Sequence, residues 1–189
     1  MTDVSIIGSG TMGQAIEAVV RRGGHTAELV GREGQVTGDI VVLAVPYPAV
    51  DDVVAQRGEE LAGKVVVDIT NPLDFETFDS LVVPASSSAT AVIADKLPRS
   101  SVVKAFNTNF AATLGSGSVG PVTTTVLIAG DDADAKARLA DIATAGGLSA
   151  IDAGALSRAR ELESIGFLQI KLAAGEEIGW TGGFGVVAA

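Results

Sequence analysis

The sequence predicts an α/β protein, with a doubly wound and mostly parallel sheet of about seven strands. Short apolar runs of strand length alternate along the chain with stretches in which apolar residues recur at helical spacing. The first run, residues 4–7, breaks into Gly8, Gly10 and Gly13 just before a helical pattern. A glycine-rich turn between a strand and a helix is typical of the Rossmann form of this fold. The predicted strands are residues 4–7, 27–30, 39–45, 64–69, 102–106, 123–129 and 148–152.

The composition narrows the class of protein. A chain of 189 residues predicts a single domain, 1–189, in which residues 153–189 supply a C-terminal helix and tail. The absence of cysteine excludes disulfides and thiol catalysis and favours the cytoplasm. The formal net charge of −10 argues against nucleic acid and anionic membranes as partners. Every apolar run is shorter than the ~18 residues that a membrane span requires, so no membrane partner is expected.

The three glycines fit the spacing G-x-G-x-x-G, and each has a physical role. Gly8 permits a tight turn, Gly10 lets a pyrophosphate approach the backbone, and Gly13 lets the helix pack closely on the strand. The residues between them are Ser9, Thr11 and Met12. Free N–H groups and the helix dipole favour a phosphate at the start of the helix. An ordinary glycine-rich turn is the competing interpretation. The motif lies directly after the first predicted strand, and this position favours a dinucleotide site.

The end of the second predicted strand indicates which dinucleotide is bound. Gly31 and Arg32 lie about 20 residues beyond the glycine motif, where a site for NAD has a carboxylate for the ribose 2′-hydroxyl. A site for NADP supplies a cation to the 2′-phosphate instead. The competing carboxylates are Glu28, within the predicted strand, and Glu33, one residue past Arg32. The pattern predicts NADP, with a merely solvated Arg32 as the alternative.

The connection after Arg32 is unusually short. Only residues 33–38 precede the next predicted strand, where a doubly wound fold ordinarily has a helix. If the strand 39–45 lies on the far side of the first strand, the connection must span ~17 Å along the sheet and ~10 Å across it. The seven residues 32–38 reach at most ~23 Å when fully extended. We therefore predict a shortened, nearly extended crossover that leaves the edge at 27–30 open to pairing.

Two further turns follow strands whose carboxyl ends lie at the same edge, where open parallel sheets bind ligands. The first turn contains Ala44, Val45, Pro46 and Tyr47. Tyr47 is predicted either to contact the cofactor or to belong to a proline-fixed helix start. The second turn contains Asn71 and Pro72, and the proline pushes Asn71 toward extended geometry. The Asn71 amide is predicted either to bind a nicotinamide carboxamide or to stabilise the turn.

The last third of the chain supplies a second ligand-facing cluster and a long helix. The polar cluster begins with Asn107 and Thr108, directly after the strand 102–106. The segment 156–174 is apolar over much of its surface, which is typical of a central or an interface helix. Together with the open strand edge it predicts a homodimer. Residues 153–189 therefore complete either the second-substrate site or a dimer interface, and Trp180 either docks the tail or walls that site.

Several segments of the sequence carry a family resemblance. They are the Gly8 motif, Gly31-Arg32, Val45-Pro46-Tyr47, and residues 70–73, 105–108, 130–132 and 152–157. Together they resemble the coenzyme F420-dependent NADP oxidoreductase family, and the resemblance extends over nearly the whole chain. The chain is also similar to the cytosolic reductase domain of the six-transmembrane epithelial antigen metalloreductases. The resemblance to the first family implies that NADPH and a deazaflavin meet at the carboxyl ends of the strands, where hydride passes between them.

The resemblance also implies roles for individual residues. NADP would be held by Ser9, Thr11, Met12, Arg32, Val45, Pro46 and Tyr47. Residues 107–110 and 152–156 would lie nearer the second cofactor, coenzyme F420 or a flavin. The chain departs from the family pattern in two places. The short connection after Arg32 removes structure beside the adenine end of the site, and Ala155 stands where the family often has proline.

The expected chemistry requires no dedicated acid or base, because hydride transfer between redox cofactors mainly needs positioning and exclusion of water. No catalytic side chain and no metal ligands are predicted. The only histidine, His25, falls in a turn at the opposite end of the sheet. We therefore expect an NADP-dependent oxidoreductase that uses F420 or a flavin. The alternatives are a noncatalytic NADP-binding or redox-sensing protein, and an NADP-dependent reductase of a small organic substrate with Tyr47 as proton donor.

Overall fold

A computed structural model describes residues 1–187, so residues 188 and 189 of the predicted domain 1–189 lie outside the described part. The strands are β1 Asp3–Ile7, β2 Thr26–Val30, β3 Ile40–Leu43, β4 Val65–Asp68, β5 Ser101–Lys104, β6 Ser118–Val119, β7 Val122–Thr123, β8 Thr125–Gly130 and β9 Ser149–Gly154. The helices are α1 Thr11–Arg22, α2 Val50–Leu61, α3 Ala89–Lys96, α4 Ala111–Ser116, α5 Ala133–Ala145 and α6 Ala159–Ala174.

Seven of these strands form one sheet in the order β2-β1-β3-β4-β5-β8-β9, and β6 pairs with β7 in a separate hairpin. Neighbouring strands are parallel except at β5 and β8, which run antiparallel. The predicted mostly parallel, doubly wound sheet is therefore confirmed. Because β2 and β3 lie on opposite sides of β1, the strand order reverses at β1. Open sheets of this kind bind ligands at such a reversal, outside the carboxyl ends of the strands.

The connection from β2 to β3 is the predicted short crossover. Residues 31–39 form turns, bends and irregular structure, with no helix. The segment crosses β1 at close range. The Oγ of Ser5 accepts hydrogen bonds from the backbone nitrogen of Thr37 at 3.2 Å and from that of Gly38 at 2.9 Å. A Cβ atom on Gly38 would lie 2.6 Å from the Ser5 nitrogen. The crossover therefore lies directly against β1, and the absence of a side chain at Gly38 makes that path possible.

Helices cover both faces of the sheet and create two layers of core. Side chains of α1, α4 and α5 pack in one cluster with the strands, and side chains of α2 and α3 pack in the other. All four residues of β3 are buried, as expected for an apolar strand that is covered on both faces. The glycine-rich turn after β1 is thus carried by an internal strand of a packed sheet, next to the edge strand β2.

The structure differs from the sequence-based ranges between residues 111 and 123 and at the start of the last helix. Helix α4 and the β6–β7 hairpin were not predicted, because closely spaced glycines and serines interrupt any apolar period there. Gly117 has φ 74° and ends α4 in the left-handed region. The segment predicted as one helix, 156–174, starts as a 3₁₀ turn over Leu156–Arg158 and continues as α6. Within residues 1–187 no helix is long and apolar enough to cross a membrane.

Candidate functional site

Two cavities adjoin at the carboxyl edge of the sheet. The first cavity has a volume of about 490 Å³ and the second about 340 Å³, and both are lined by Val45 and Pro46. The predicted residues that line the first cavity are Gly8, Ser9, Gly31, Arg32, Val45 and Pro46. The further predicted residues that line the second cavity are Gly10, Thr11, Met12, Ala44, Tyr47 and Asn71. Most of the predicted site residues are thus brought together at one edge.

The glycine turn owes its shape to two close contacts. Gly8 has φ 115°, and a Cβ atom there would overlap the carbonyl of Ala44. A Cβ atom on Gly13 would overlap the carbonyl oxygen of Gly8. These two glycines therefore allow α1 to start close to β1 and β3, which directs the N-terminus of the helix toward both cavities.

The start of α1 suits an anion. The helix begins after Gly10, which provides no side-chain cap, and its first turn contains no acidic residue. A Cβ atom on Gly10 would meet no heavy atom within 4 Å, so the space beside this backbone is open. Uncapped N–H groups and the positive end of the helix dipole both favour a phosphate in that space.

Arg32 is exposed on the wall of the first cavity. Neither Glu28 nor Glu33 is among the residues that line this cavity, whereas Asp52 of α2 is. A guanidinium beside the glycine turn, without a carboxylate from the end of β2, is the pattern that recognises a ribose 2′-phosphate.

Arg57 is a residue of this site that was not predicted from the sequence. Its side chain is 8% exposed, lines the first cavity, and donates to three backbone carbonyls of the connection after β2. Nη2 lies 2.9 Å from the oxygen of Gly31 and 2.6 Å from that of Arg32, and Nη1 lies 2.7 Å from that of Gly34. A single arginine within a helical pattern gives no sequence signal that separates an anchor from a solvated charge.

The second cavity combines apolar walls with a few polar groups. Phe75 and Ile170 supply apolar surface, and Thr70 and Asn71 supply polar atoms. The Oγ1 atom of Thr70 is buried without a hydrogen-bond partner among the described residues. An orphaned hydroxyl on the wall of an apolar cleft fits a ligand that carries hydrogen-bonding groups on a planar ring.

Tyr47 contributes a hydroxyl to the same cavity. Burial, and after it the nearby carboxylate of Asp51, raises the pKa of the Tyr47 phenol above its ordinary value of 10.0. The phenol is therefore neutral at physiological pH and retains its O–H as a donor. Tyr47 also begins the 3₁₀ turn Tyr47–Ala49 after Pro46, so both interpretations of this residue are compatible with its position.

The predicted amide Asn71 is paired with another predicted site residue. Its Nδ2 donates to the carbonyl oxygen of Asn107 at 2.9 Å, and its Oδ1 accepts from Asn107 Nδ2 at 2.9 Å. Asn107 also donates to the carbonyl oxygen of Leu162 in α6, at 2.9 Å. The pair therefore joins the end of β4 to α6 at the edge of the second cavity, and one N–H of the Asn71 amide stays available for a ligand.

Four predicted site residues lie outside the two cavity walls. Gly13 faces the strand, Pro72 is buried in its turn, and Asn107 and Thr108 lie beneath α6. The carbonyl oxygen of Thr108 accepts from Gln169 Nε2 at 3.3 Å. Residues 152–156, implied by resemblance to lie near the second cofactor, are also absent from the lining of the second cavity.

A buried charge cluster lies directly behind the second cavity, and it has no sequence signature. Lys104 Nζ lies 2.9 Å from Asp68 Oδ2 and 3.0 Å from Glu163 Oε1, and these side chains are at most 1% exposed. Lys104 also donates to the carbonyl oxygen of Thr70 at 2.6 Å. The cluster thus fixes the backbone that carries the orphaned Thr70 hydroxyl.

The C-terminal tail packs on the body of the protein. The Trp180 ring lies 5.0 Å from that of Phe110, centroid to centroid, and the N–H of Phe184 donates to Gln169 Oε1 at 2.9 Å. These contacts agree with tail docking, the preferred interpretation of this segment. Trp180 is not among the residues that line the second cavity.

The residues of the two cavities fit a dinucleotide and a second planar cofactor. The open backbone at Gly10 fits a pyrophosphate, Arg32 fits a 2′-phosphate, and the Thr70 hydroxyl fits a polar ring edge. Within the described residues 1–187, no group of three or more histidine, aspartate or glutamate side chains is placed to hold a metal ion.

Comparison with known proteins identifies the family of this chain. Residues 16–72 match the family model described as NADP oxidoreductase, coenzyme F420-dependent. The chain is 34% identical over 180 residues to the F420-dependent NADP reductase of Methanocaldococcus jannaschii, which covers 88% of this chain and 80% of that protein. It is 31% identical over 139 residues to the metalloreductase STEAP3 of Rattus norvegicus, covering 74% of this chain and 27% of that protein.

A solved structure gives the same fold. A candidate F420-dependent NADP reductase from Arthrobacter sp. FB24 superposes with a TM-score of 0.84 over 100% of both chains, at 24% sequence identity. The predicted NADP-dependent oxidoreductase is confirmed at the level of the family by the sequence matches. The chain belongs to the coenzyme F420-dependent NADP oxidoreductase family.

Proposed function

We propose that this protein transfers hydride between NADP(H) and the deazaflavin coenzyme F420. The observation that carries the proposal is the pair of adjoining cavities, with a phosphate-binding turn and Arg32 at one and an apolar cleft at the other. The shared wall at Val45 and Pro46 places the two ligand sites next to each other. Direct transfer requires that proximity, because the two rings must come into contact.

The residues have distinct tasks in this proposal. The glycine turn and the start of α1 hold the pyrophosphate, and Arg32 binds the 2′-phosphate by a charge-assisted contact. The neutral Tyr47 phenol and the Thr70 hydroxyl orient the rings in the second cavity. Phe75 and Ile170 exclude water from the place where the rings meet. Gly31, Asn71 and Asn107 support these groups, and Pro72 and Thr108 support the backbone around them.

The bound cofactors supply the redox chemistry: NADPH gives up a hydride and becomes NADP⁺, and oxidised F420 takes up that hydride and one proton from solvent. The family and the relative from M. jannaschii support F420 as the partner of NADP. No acid or base of the chain has to act on the transferred hydride, in agreement with the absence of a dedicated catalytic side chain from the predicted site.

A stopped-flow experiment tests this function. The protein is mixed with NADPH and oxidised F420, and in parallel with FMN and FAD, while the absorbance of each acceptor is followed. We expect rapid reduction of F420, with NADH a much poorer donor. If NADPH binds but none of the three acceptors is reduced, the proposal is wrong and a noncatalytic NADP-binding or redox-sensing role takes its place. Reduction of FMN or FAD alone would identify a flavin as the acceptor.

The third possibility, reduction of a small organic substrate, has its own test. Such a reaction needs a proton donor in the cleft, and Tyr47 is the hydroxyl best placed to supply one. If Tyr47→Phe leaves the rate of NADPH oxidation unchanged, this alternative loses its donor.

We also propose that the protein is a single cytoplasmic domain that forms a homodimer. The cysteine-free composition supports the location. Leu168 on α6 is 48% exposed and Trp180 of the tail is 53% exposed, and apolar surface of this kind supports self-association. Light scattering at micromolar concentration is expected to give the mass of two chains. A mass of one chain at high concentration would refute the dimer.

A further inference from the structure

The connection after β2 is held in place by an arginine from another element. Arg57 of α2 donates to the carbonyl oxygens of Gly31, Arg32 and Gly34 at 2.6 to 2.9 Å, and Nη1 also lies 3.3 Å from Glu60 Oε2. The three carbonyls converge on one guanidinium. The donors of the two Nη nitrogens are therefore directed at three backbone carbonyls and at the Glu60 carboxylate.

The short crossover explains why such an anchor is needed. An ordinary helix after β2 would order the start of this connection through its own hydrogen bonds. Residues 31–39 contain no helix, and the Gly34 N–H donates to the Gly31 carbonyl oxygen at 3.3 Å within a turn. Glycines at 31, 34 and 38 add conformational freedom to the same segment. Besides Arg57, the connection is held by Ser5 of β1 and by Glu60, whose Oε2 accepts the N–H of Val36 at 3.1 Å. Lys64 Nζ also donates to the carbonyl oxygen of Gly38 at 2.7 Å.

We propose that Arg57 is a positioning residue that sets the preference for NADP over NAD, by holding the turn that carries Arg32. A guanidinium has a planar fork of donors that can bridge several carbonyls, which a point charge does less well. Fixing the backbone on both sides of Arg32 orders that side chain before the ligand arrives. Less conformational entropy is then lost when it binds a 2′-phosphate.

This inference rests on the proposed function, because it assumes that the first cavity binds NADP through Arg32. It extends that function by making the preference for NADP over NAD depend on Arg57, a residue of α2 outside the glycine motif. Two other roles for Arg57 make different predictions. A direct phosphate ligand would act independently of Arg32, and a purely structural residue would affect NADPH and NADH equally.

The test measures dissociation constants for NADPH and NADH by calorimetry on the full chain. The variants are Arg57→Met, which removes all donors, Arg57→Lys, which keeps the charge, Arg32→Ala, and the double variant Arg32→Ala with Arg57→Met. Arg99→Met is the matched control. Arg99 also pairs with a glutamate of α2, Glu59, but it lies on the surface away from the first cavity.

We expect the preference for NADPH over NADH to fall by ~10-fold or more in Arg57→Met, the size of a charged hydrogen-bonded contact. Arg57→Lys recovers only part of that loss, and Arg99→Met behaves like the wild type. In the double variant the preference equals that of Arg32→Ala alone, because both substitutions remove the same contact.

Three outcomes overturn the inference while leaving the NADP site intact: equal losses for NADPH and NADH in Arg57→Met, strict additivity with Arg32→Ala, or full recovery in Arg57→Lys. If Arg57→Met does not fold, Glu60→Ala removes the other α2 contact to this connection and must lower the same preference, or the inference is wrong. A wild-type protein without any preference for NADPH overturns the cofactor assignment itself, before any variant is compared.

Discussion

Lys104 Nζ lies 2.9 Å from Asp68 Oδ2, and neither side chain has any exposed surface. The two residues end neighbouring parallel strands, β5 and β4, directly behind the second cavity. Glu163 of α6 adds a second carboxylate at 3.0 Å, and Thr90 Oγ1 donates to Asp68 Oδ2 at 2.8 Å. A single buried ammonium thus joins two strands to α6, the helix that closes the site.

Removing this ammonium is expected to destabilise the protein severely. Lys104→Met leaves two carboxylates in the core without their cation, a change that costs about 3–5 kcal/mol of the free energy of unfolding. Urea denaturation measures the effect. Lys171→Met is the control, because Lys171 pairs with Asp79 on the surface and such pairs contribute less than about 1 kcal/mol. Equal stabilities of the two variants would show that the buried cluster is not held by Lys104.

Two substitutions in the glycine motif are expected to have different effects, one on the stability of the protein and the other on its affinity for NADPH. Gly13→Ala is expected to lower the free energy of unfolding by about 1–3 kcal/mol, because the new methyl group overlaps the carbonyl oxygen of Gly8. Gly10→Ala meets no neighbouring atom, so its cost stays within about 1 kcal/mol. The methyl group of Gly10→Ala occupies the space assigned to the pyrophosphate. The affinity of this variant for NADPH is therefore expected to fall by ~10-fold.

Urea denaturation and calorimetric titration of NADPH on both variants check this prediction. Gly10→Ala should fold like the wild type and bind poorly. If Gly10→Ala binds NADPH as tightly as the wild type, the phosphate does not approach the backbone at Gly10 and the position assigned to the dinucleotide is wrong.

The features that were predictable from sequence are those set by neighbouring residues. Gly8 and Gly13 are recognisable because a turn between a strand and a helix needs both within six positions, and Arg32 is recognisable by its distance from that turn. Even the path of the crossover follows from how far seven residues can reach. Local geometry thus identified the fold, the glycine-rich turn and most of the residues that line the two cavities.

The features that were missed depend on contacts between distant residues. Lys104 meets Asp68 across 36 positions, and Glu163 accepts the N–H of Thr90 across 73. Arg57 reaches back 26 positions to Gly31. A charged residue has the same sequence appearance whether it is solvated or buried against carbonyls, so only the packing of the helices on the sheet distinguishes the two.

Tyr47 gives a spectroscopic prediction, because it is the only tyrosine of the chain. Burial raises the pKa of its phenol, so the phenolate absorbance of the folded protein is expected to appear with a midpoint above 10.0. The unfolded chain in urea should titrate at the ordinary value. Since the folded pKa is the higher one, the corresponding stability is fully present below pH 10.0 and is lost as the pH rises through the folded pKa.

Alkaline titration followed by absorbance, with and without urea, measures both midpoints. Tyr47→Phe should remove the signal entirely. A folded-state midpoint at or below that of the unfolded chain would show that the Tyr47 phenol is not shielded by the cavity wall.

Asp152 gives the opposite pH dependence. Lys136 Nζ donates to its Oδ1 at 2.8 Å, and the N–H of Gly154 donates to the same atom at 2.8 Å. Both contacts favour the carboxylate, with the Lys136 hydrogen bond the larger effect, and hold the pKa of Asp152 below its ordinary value of 3.8. The folded pKa is the lower one, so the stabilisation is present above pH 3.8 and is lost as the pH falls through the folded pKa.

The stability difference between the wild type and Asp152→Asn is therefore expected to shrink as the pH falls below 3.8. Urea denaturation across the acid range measures that difference, and the same comparison in a Lys136→Met background is the control. In the Lys136→Met background, replacing Asp152 by asparagine should change the free energy of unfolding less at neutral pH than it does with Lys136 present. Only the Gly154 N–H then still favours the carboxylate. A difference that is independent of pH would show that Asp152 stabilises the end of β9 through packing rather than through its charge.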